Sequence, residues 1–137
     1  MSERANETWA MKNRFYTVVN CMDGRVQLPV IDYIKNRFDV EFVDSVTEAG
    51  PNRILAEGVD SRAVDAILAR VQISVEKHHS AGIAVAGHHD CAGNPAPKQT
   101  QLRHIQAAAR FMQKRYPHLP VTGLWVDEKW RVNAVDA

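Results

Sequence analysis

The stretch that decides the fold is IAVAGHHDC, residues 83–91. Its first five residues are apolar without interruption, which is typical of a strand buried on both faces of a parallel sheet. Gly87 then leads into His88, and Cys91 follows three residues later. A histidine and a cysteine at this spacing can face one metal ion, although a loop histidine beside a small buried thiol has the same pattern. The stretch therefore predicts a buried strand that ends in two metal-capable side chains.

Strands and helices alternate on both sides of this stretch. The predicted helices carry apolar residues at spacings of three and four, and the predicted strands are β-branched or aromatic. We expect helices at 28–38, 61–79 and 98–115, a loop at 47–53, and further strands at 14–20, 40–46, 121–127 and 130–135, the last two forming a hairpin. This order predicts an α/β fold of three layers, with a mostly parallel central sheet flanked by helices.

Length and composition set the organisation of the chain. Its 137 residues predict one zinc-binding domain over residues 14–137, preceded by a polar N-terminal arm at 1–13. The net charge of +1 and the scattered Lys and Arg residues favour neither nucleic acid nor an anionic membrane. The first residues are too polar for a secretory signal, and no apolar stretch approaches membrane-spanning length. We therefore expect a cytoplasmic protein without a nucleic-acid or membrane partner.

The only other cysteine, Cys21, ends the first predicted strand. Because cytosolic thiols stay reduced, a role in metal binding or catalysis is favoured over a disulfide. Ligands of α/β sheets bind beyond the carboxyl ends of parallel strands, so Cys21 is expected near His88 and Cys91. Two cysteines and one histidine form a ligand set that zinc accepts, with a fourth position left open in catalytic sites.

Cys21 also opens the stretch CMDGR, residues 21–25. An arginine can hold an aspartate by two hydrogen bonds, and here Arg25 would hold Asp23 beside the fourth position of the metal. There the carboxylate could accept a hydrogen bond from bound water or occupy the position itself. A purely structural ion pair is the alternative interpretation.

Together, CMDGR at 21–25 and GHHDC at 87–91 resemble the C-x-D-x-R and H-x-x-C motifs of the β-class carbonic anhydrases. The segment VEFVDSVTEAGPN falls where those enzymes carry a strand and an R-N-A-G-type loop, and VTGLWVDEKWRV resembles their closing strands. The resemblance thus covers nearly the whole chain from about residue 14.

The resemblance implies zinc as the cofactor, with Cys21, His88 and Cys91 as its ligands and Asp23 with Arg25 as the catalytic dyad. It implies a carbonate dehydratase-like zinc lyase, in which a zinc-bound hydroxide attacks carbon dioxide and gives bicarbonate reversibly. It also implies a homodimer or a higher homo-oligomer, because the active site of the family sits at a subunit boundary.

The chain departs from the family in the loop after the second strand, where Thr47 and Glu48 replace the usual Arg and Asn. Two alternatives stay open. One is a related zinc hydrolase of a small linear molecule such as carbonyl sulfide or carbon disulfide. The other is a non-catalytic zinc protein of the same fold, against which the presence of Asp23 and Arg25 argues.

His89 and Asp90 lie between the predicted ligands His88 and Cys91. His89 is expected to be an exposed bystander rather than a proton shuttle, since neighbours on a strand end point in opposite directions. Asp90 is expected either to orient a ligand or to cap the following turn.

Overall fold

The computed structural model describes residues 13–136, so the predicted arm at 1–13 lies outside the described residues except for Asn13. One sheet holds five strands in the order β2-β1-β3-β4-β5. The first four run parallel, and β5 pairs antiparallel with β4. The bounds are β1 Phe15–Cys21, β2 Phe42–Glu48, β3 Ile83–His88, β4 Val121–Val126 and β5 Val132–Val135. The predicted mostly parallel sheet is confirmed.

Helices cover both faces of the sheet and make it the middle of three layers. They are α1 Gln27–Phe38, α2 Pro51–Glu57, α3 Ser61–Lys77 and α4 Lys98–Arg115, and a single 3-10 turn at Gly24–Val26 precedes α1. Alternate strand residues enter opposite cores, as the pleat requires. One core joins β1, β3 and β4 to α1 through Val18, Ala84, Ala86, Leu124, Val30 and Ile34. The other joins the sheet to α3 and α4 through Val19, Ile83, Val85, Ile67, Val71 and Met112.

One helix was not predicted. Part of the expected loop at 47–53 belongs to α2, which begins at Pro51 and ends before Gly58. Proline is tolerated in the first turn of a helix because its missing N–H is not needed there. A helix of seven residues that starts with a proline and is followed by a glycine is too short to show helical periodicity, so the segment had the pattern of a loop.

The strand order brings the two sequence motifs to one edge of the sheet. β1 ends at Cys21 and its parallel neighbour β3 ends at His88, as the sequence predicted. Cys21 lies opposite Glu48 in the register with β2, so the loop after β2 reaches the same edge. Among the described residues, no helix is both long and apolar enough to cross a membrane.

Candidate metal centre

The side chains of Cys21, His88 and Cys91 meet at this edge of the sheet. Their possible ligand atoms lie within 4.8 Å of one another, and all three residues are buried. The two sulfur atoms are 3.8 Å apart. Two Zn–S bonds of about 2.3 Å at a tetrahedral angle would place the sulfurs about 3.8 Å apart. The spacing therefore suits a tetrahedral zinc ion.

His88 is oriented to offer one ring nitrogen to this cluster. Its Nδ1 lies 2.7 Å from the backbone carbonyl of His89 and donates to it, which leaves the lone pair on Nε2. Nε2 is buried and has no hydrogen-bond partner among the described residues. A buried polar atom without a partner is costly, and a metal ion would satisfy this one. The donor set and the unpartnered nitrogen thus fit zinc.

The two thiols are electrostatically unequal. A hydrogen bond from the Cys91 thiol lowers the pKa of Cys21 to about 4. The same contact, together with burial, raises the pKa of Cys91. The two pKa shifts have opposite directions, so Cys91 holds its proton more tightly than Cys21 does. Because thiolate is the form that binds a metal, binding of a dication between the sulfurs would release that proton.

Hydrogen bonds to neighbouring side chains fix the backbone around Cys21. The Asn20 side-chain oxygen accepts from the backbone N–H of Cys21 at 2.9 Å. Gln27 Nε2 donates to the carbonyls of Cys21 and Asp23 at 2.7 and 2.9 Å. The backbone N–H of Met22 donates to the Glu48 carbonyl at 2.8 Å. The roles of Asn20 and Gln27 were not predicted, since an amide side chain carries no motif of its own.

The structure also brings Asp23 and Arg25 together. The guanidinium donates from Nη2 to Asp23 Oδ2 at 2.7 Å and from Nε to Oδ1 at 3.0 Å. The backbone N–H of Arg25 adds a hydrogen bond of 2.9 Å to Oδ1. These bonds lower the pKa of Asp23 to about 2, so the carboxylate is ionised at neutral pH and accepts hydrogen bonds only.

Arg25 links the two motifs. Its Nη1 lies 3.2 Å from Asp90 Oδ2, and its Nη2 donates to the Asp90 carbonyl at 3.0 Å. The guanidinium carbon lies 4.5 Å from the ring centroid of Trp130. A cleft of about 400 Å³ opens beside this group; it is lined by Arg25, Asp90, Cys91, Ala92, Pro95 and Ala96. His89 is exposed, as expected. Its backbone carbonyl accepts the hydrogen bond from His88 Nδ1.

The loop that carries Cys91 packs closely against the loop after β2. A Cβ atom on Gly93 would lie 2.4 Å from the Ala49 carbonyl carbon and 2.7 Å from the Gly50 nitrogen, so only glycine fits. Behind this contact, the buried side chain of Asn52 donates to Gln101 Oε1 at 2.7 Å, and Gln101 Nε2 donates to the Asn94 carbonyl at 2.8 Å. The close approach therefore holds the Cys91 loop in place.

Gly93→Ala is expected to destabilise the protein and to weaken metal binding, because the methyl group would push the two loops apart. Overpacking of this kind typically costs about 1–3 kcal/mol. The matched control is Gly24→Ala, since a Cβ there meets nothing within 4 Å and the backbone φ is ordinary. Denaturant unfolding of both zinc-loaded variants measures the difference. Equal free energies of unfolding would contradict the close approach.

Residues 11–136 match the model of a protein family described as "Putative carbonic anhydrase". No curated protein matches the chain. A solved structure of a tetrameric β-carbonic anhydrase from the filamentous ascomycete Sordaria macrospora is similar in fold, with a TM-score of 0.61 and 12% identity over 98% of this chain and 94% of that chain. The β-carbonic anhydrase CcaA is similar with a TM-score of 0.55 and 15% identity over 97% of this chain and 85% of its own. At these identities the likeness to the two structures shows the fold alone.

Proposed function

The chain belongs to the carbonic anhydrase family whose model it matches, as the two motifs predicted, and we propose that it catalyses the zinc-dependent reversible hydration of carbon dioxide to bicarbonate. The observation that carries this proposal is the buried His88 Nε2, which lacks a hydrogen-bond partner among the described residues and faces the two cysteine sulfurs. Carbon dioxide is apolar and small, so the reaction requires activation of water rather than an elaborate substrate pocket.

In this proposal Cys21, His88 and Cys91 hold the metal and leave a fourth position for water. When bound, zinc supplies a Lewis acid that acidifies a coordinated water, whose pKa falls from 15.7 to roughly 7 in zinc enzymes. Across the described residues, no further His, Cys, Asp or Glu joins the three donor atoms. This supports an open fourth position, because a structural zinc site usually has four protein ligands.

Asp23 is proposed to orient the reacting water. Its ionised carboxylate accepts a hydrogen bond from that water at one oxygen and thereby directs a lone pair of the water toward carbon dioxide. Arg25 holds the carboxylate by its two-point contact and keeps it from swinging onto the metal. Two thiolate ligands cancel the charge of a divalent ion, which makes this orientation by Asp23 more important than in a neutral-ligand site.

Oligomer, compartment and domain extent are part of the same proposal. The similar Sordaria macrospora enzymes are tetrameric, and we propose a homo-oligomer here, which light scattering of the purified protein would measure. We propose a cytoplasmic location, where two cysteines that form no disulfide would stay reduced. We propose that residues 14–137 fold as one zinc-binding domain behind a polar arm at 1–13.

The proposed activity is tested by stopped-flow hydration of carbon dioxide on protein of measured zinc content. We expect turnover in proportion to zinc. Carbonyl sulfide and carbon disulfide are offered to the same preparation as competing substrates. Faster hydrolysis of either would transfer the proposal to that substrate, and fully zinc-loaded protein with no turnover of any of the three would contradict an enzymatic role.

Removal of the metal by a chelator is expected to lower the melting temperature as well as the activity. Without an ion, the buried His88 Nε2 is left with no hydrogen-bond partner in the described part of the chain. An ion present at 1,000 times its Kd stabilises the folded state by about 4 kcal/mol, so the shift should be large. Differential scanning calorimetry measures it. Zinc should restore the melting temperature, whereas magnesium, which prefers oxygen ligands, should not. Equal restoration by both ions would contradict a thiolate site.

A further inference from the structure

The turn between β4 and β5 has an unusual residue at its last position. The backbone N–H of Trp130 donates to the Asp127 carbonyl at 2.9 Å, and that of Asp127 donates to the Arg131 carbonyl at 3.0 Å. Asp127 Oδ1 also accepts from the backbone N–H groups of Lys129 and Arg131. These bonds define a three-residue hairpin loop, whose last residue adopts the left-handed conformation and is usually glycine.

Trp130 occupies this position with a φ of 60°. A bulky residue is disfavoured in the left-handed region because its Cβ crowds the following carbonyl. Such a conformation persists where surrounding contacts fix it, and it is found most often at functional sites. We therefore expect contacts of the indole ring to hold Trp130 in this conformation.

The ring contacts the site residue Arg25. The guanidinium carbon lies 4.5 Å from the ring centroid, and the exposed His89 approaches the same ring edge-on at 6.4 Å. Trp130 is partly buried and packs against the core that contains Val30 and Ile34 of α1, so contacts with the core also hold this side chain. The guanidinium thus lies over the indole ring within cation–π distance, while its nitrogens donate to carboxylates.

Two carboxylates accept from those nitrogens at the same time. Asp23 is the more buried, with 20% of its side chain exposed, whereas Asp90 is 71% exposed. The Arg25 side chain is 44% exposed. Without a further contact, its guanidinium could turn toward solvent together with the Asp90 carboxylate. In the structure the guanidinium contacts the Trp130 ring and both carboxylates at the same time.

We propose that Trp130 is a positioning residue that holds the Arg25 guanidinium against Asp23 at the mouth of the metal centre. This inference rests on the proposed function, because Asp23 matters to the reaction only if the site hydrates carbon dioxide.

Trp130→Phe and Trp130→Leu form a matched pair for the test. Both keep an apolar, non-glycine side chain in the left-handed position, but only phenylalanine keeps an aromatic face for the guanidinium. The first readout is the NMR signal of the Arg25 Nε–H group in ¹⁵N-labelled, zinc-loaded protein. In the wild type, the current of the indole ring should shift this proton away from its free-arginine position. We expect the shift to survive in part in Trp130→Phe and to disappear in Trp130→Leu.

The second readout is kcat/KM for carbon dioxide hydration at equal zinc content. An exposed cation–π contact corresponds to roughly a 2- to 5-fold effect, so Trp130→Leu should lose about that factor relative to Trp130→Phe. The loss should vanish when Arg25 is already replaced by alanine, because Trp130 acts through Arg25.

An Arg25 signal that is the same in the wild type and in Trp130→Leu would overturn the proposal. A signal that changes while the two variants have equal kcat/KM would overturn its link to the reaction. Absence of turnover in the wild type would refute the proposed function, and the Arg25 signal would still decide whether Trp130 positions the guanidinium.

Discussion

His88→Gln is expected to abolish zinc binding and carbon dioxide hydration, whereas His89→Gln keeps one zinc ion per chain. The two histidines are adjacent in sequence, but only His88 is buried with an unpartnered Nε2 beside the cysteine sulfurs. Glutamine has a similar length and offers no imidazole nitrogen to the metal. Loss of an outer partner of a ligand typically costs 10- to 100-fold in metal affinity, so loss of the ligand itself should exceed about 100-fold.

The measurement is zinc content by elemental analysis after dialysis against a competing chelator. His89→Gln is the matched control, since it makes the same chemical change one residue away on an exposed side chain. Its own contribution, the backbone carbonyl that accepts from His88 Nδ1, is retained in the variant. Equal zinc retention in both variants would contradict the assignment of His88 as a ligand, and loss in both would assign His89 to the site as well.

Asp23→Asn is expected to leave zinc in place and to lower kcat/KM by about 10²–10³, the loss typical of removing one preorganised hydrogen-bonding group. The amide keeps the size of the side chain, but it carries no charge and pairs only weakly with Arg25. The amide oxygen can still accept one hydrogen bond. The substitution therefore impairs the orientation of the reacting water more than the entry of water to the site. Stopped-flow hydration at matched zinc content measures the loss.

Asp90→Asn is the control for this prediction. Asp90 is the other carboxylate on Arg25, and its backbone carbonyl, which also accepts from the guanidinium, is unchanged by the substitution. We expect a loss far smaller than that of Asp23→Asn, because Asp90 is mostly exposed. Comparable losses in the two variants would mean that the charge around Arg25, rather than the position of Asp23, controls the rate.

The main architecture could be predicted because it is encoded locally. IAVAG is apolar throughout, and its strand lies in the middle of the parallel sheet. The apolar spacing of α3 and α4 placed these helices to within two residues at each end. The meeting of Cys21 with His88 followed from topology alone, because adjacent parallel strands end at one edge.

The remaining features depend on contacts between distant segments. Trp130 has a left-handed backbone, and its ring contacts Arg25, which lies more than 100 positions earlier in the sequence. The need for glycine at position 93 arises from the backbone at 49–50, and the link from Asp90 to Arg25 arises from the same convergence of loops. No local pattern of the sequence contains these pairs, so the supporting residues of the site emerged only from the structure.

The most direct test of the central claim is the exchange of ¹⁸O between carbon dioxide and water, followed by mass spectrometry on zinc-loaded protein. The exchange reports interconversion of carbon dioxide and bicarbonate at chemical equilibrium, with no dependence on a coupled assay. We predict exchange that rises in proportion to zinc content and falls sharply in Asp23→Asn at the same zinc content. Exchange by the fully zinc-loaded wild type no faster than in buffer would contradict the account.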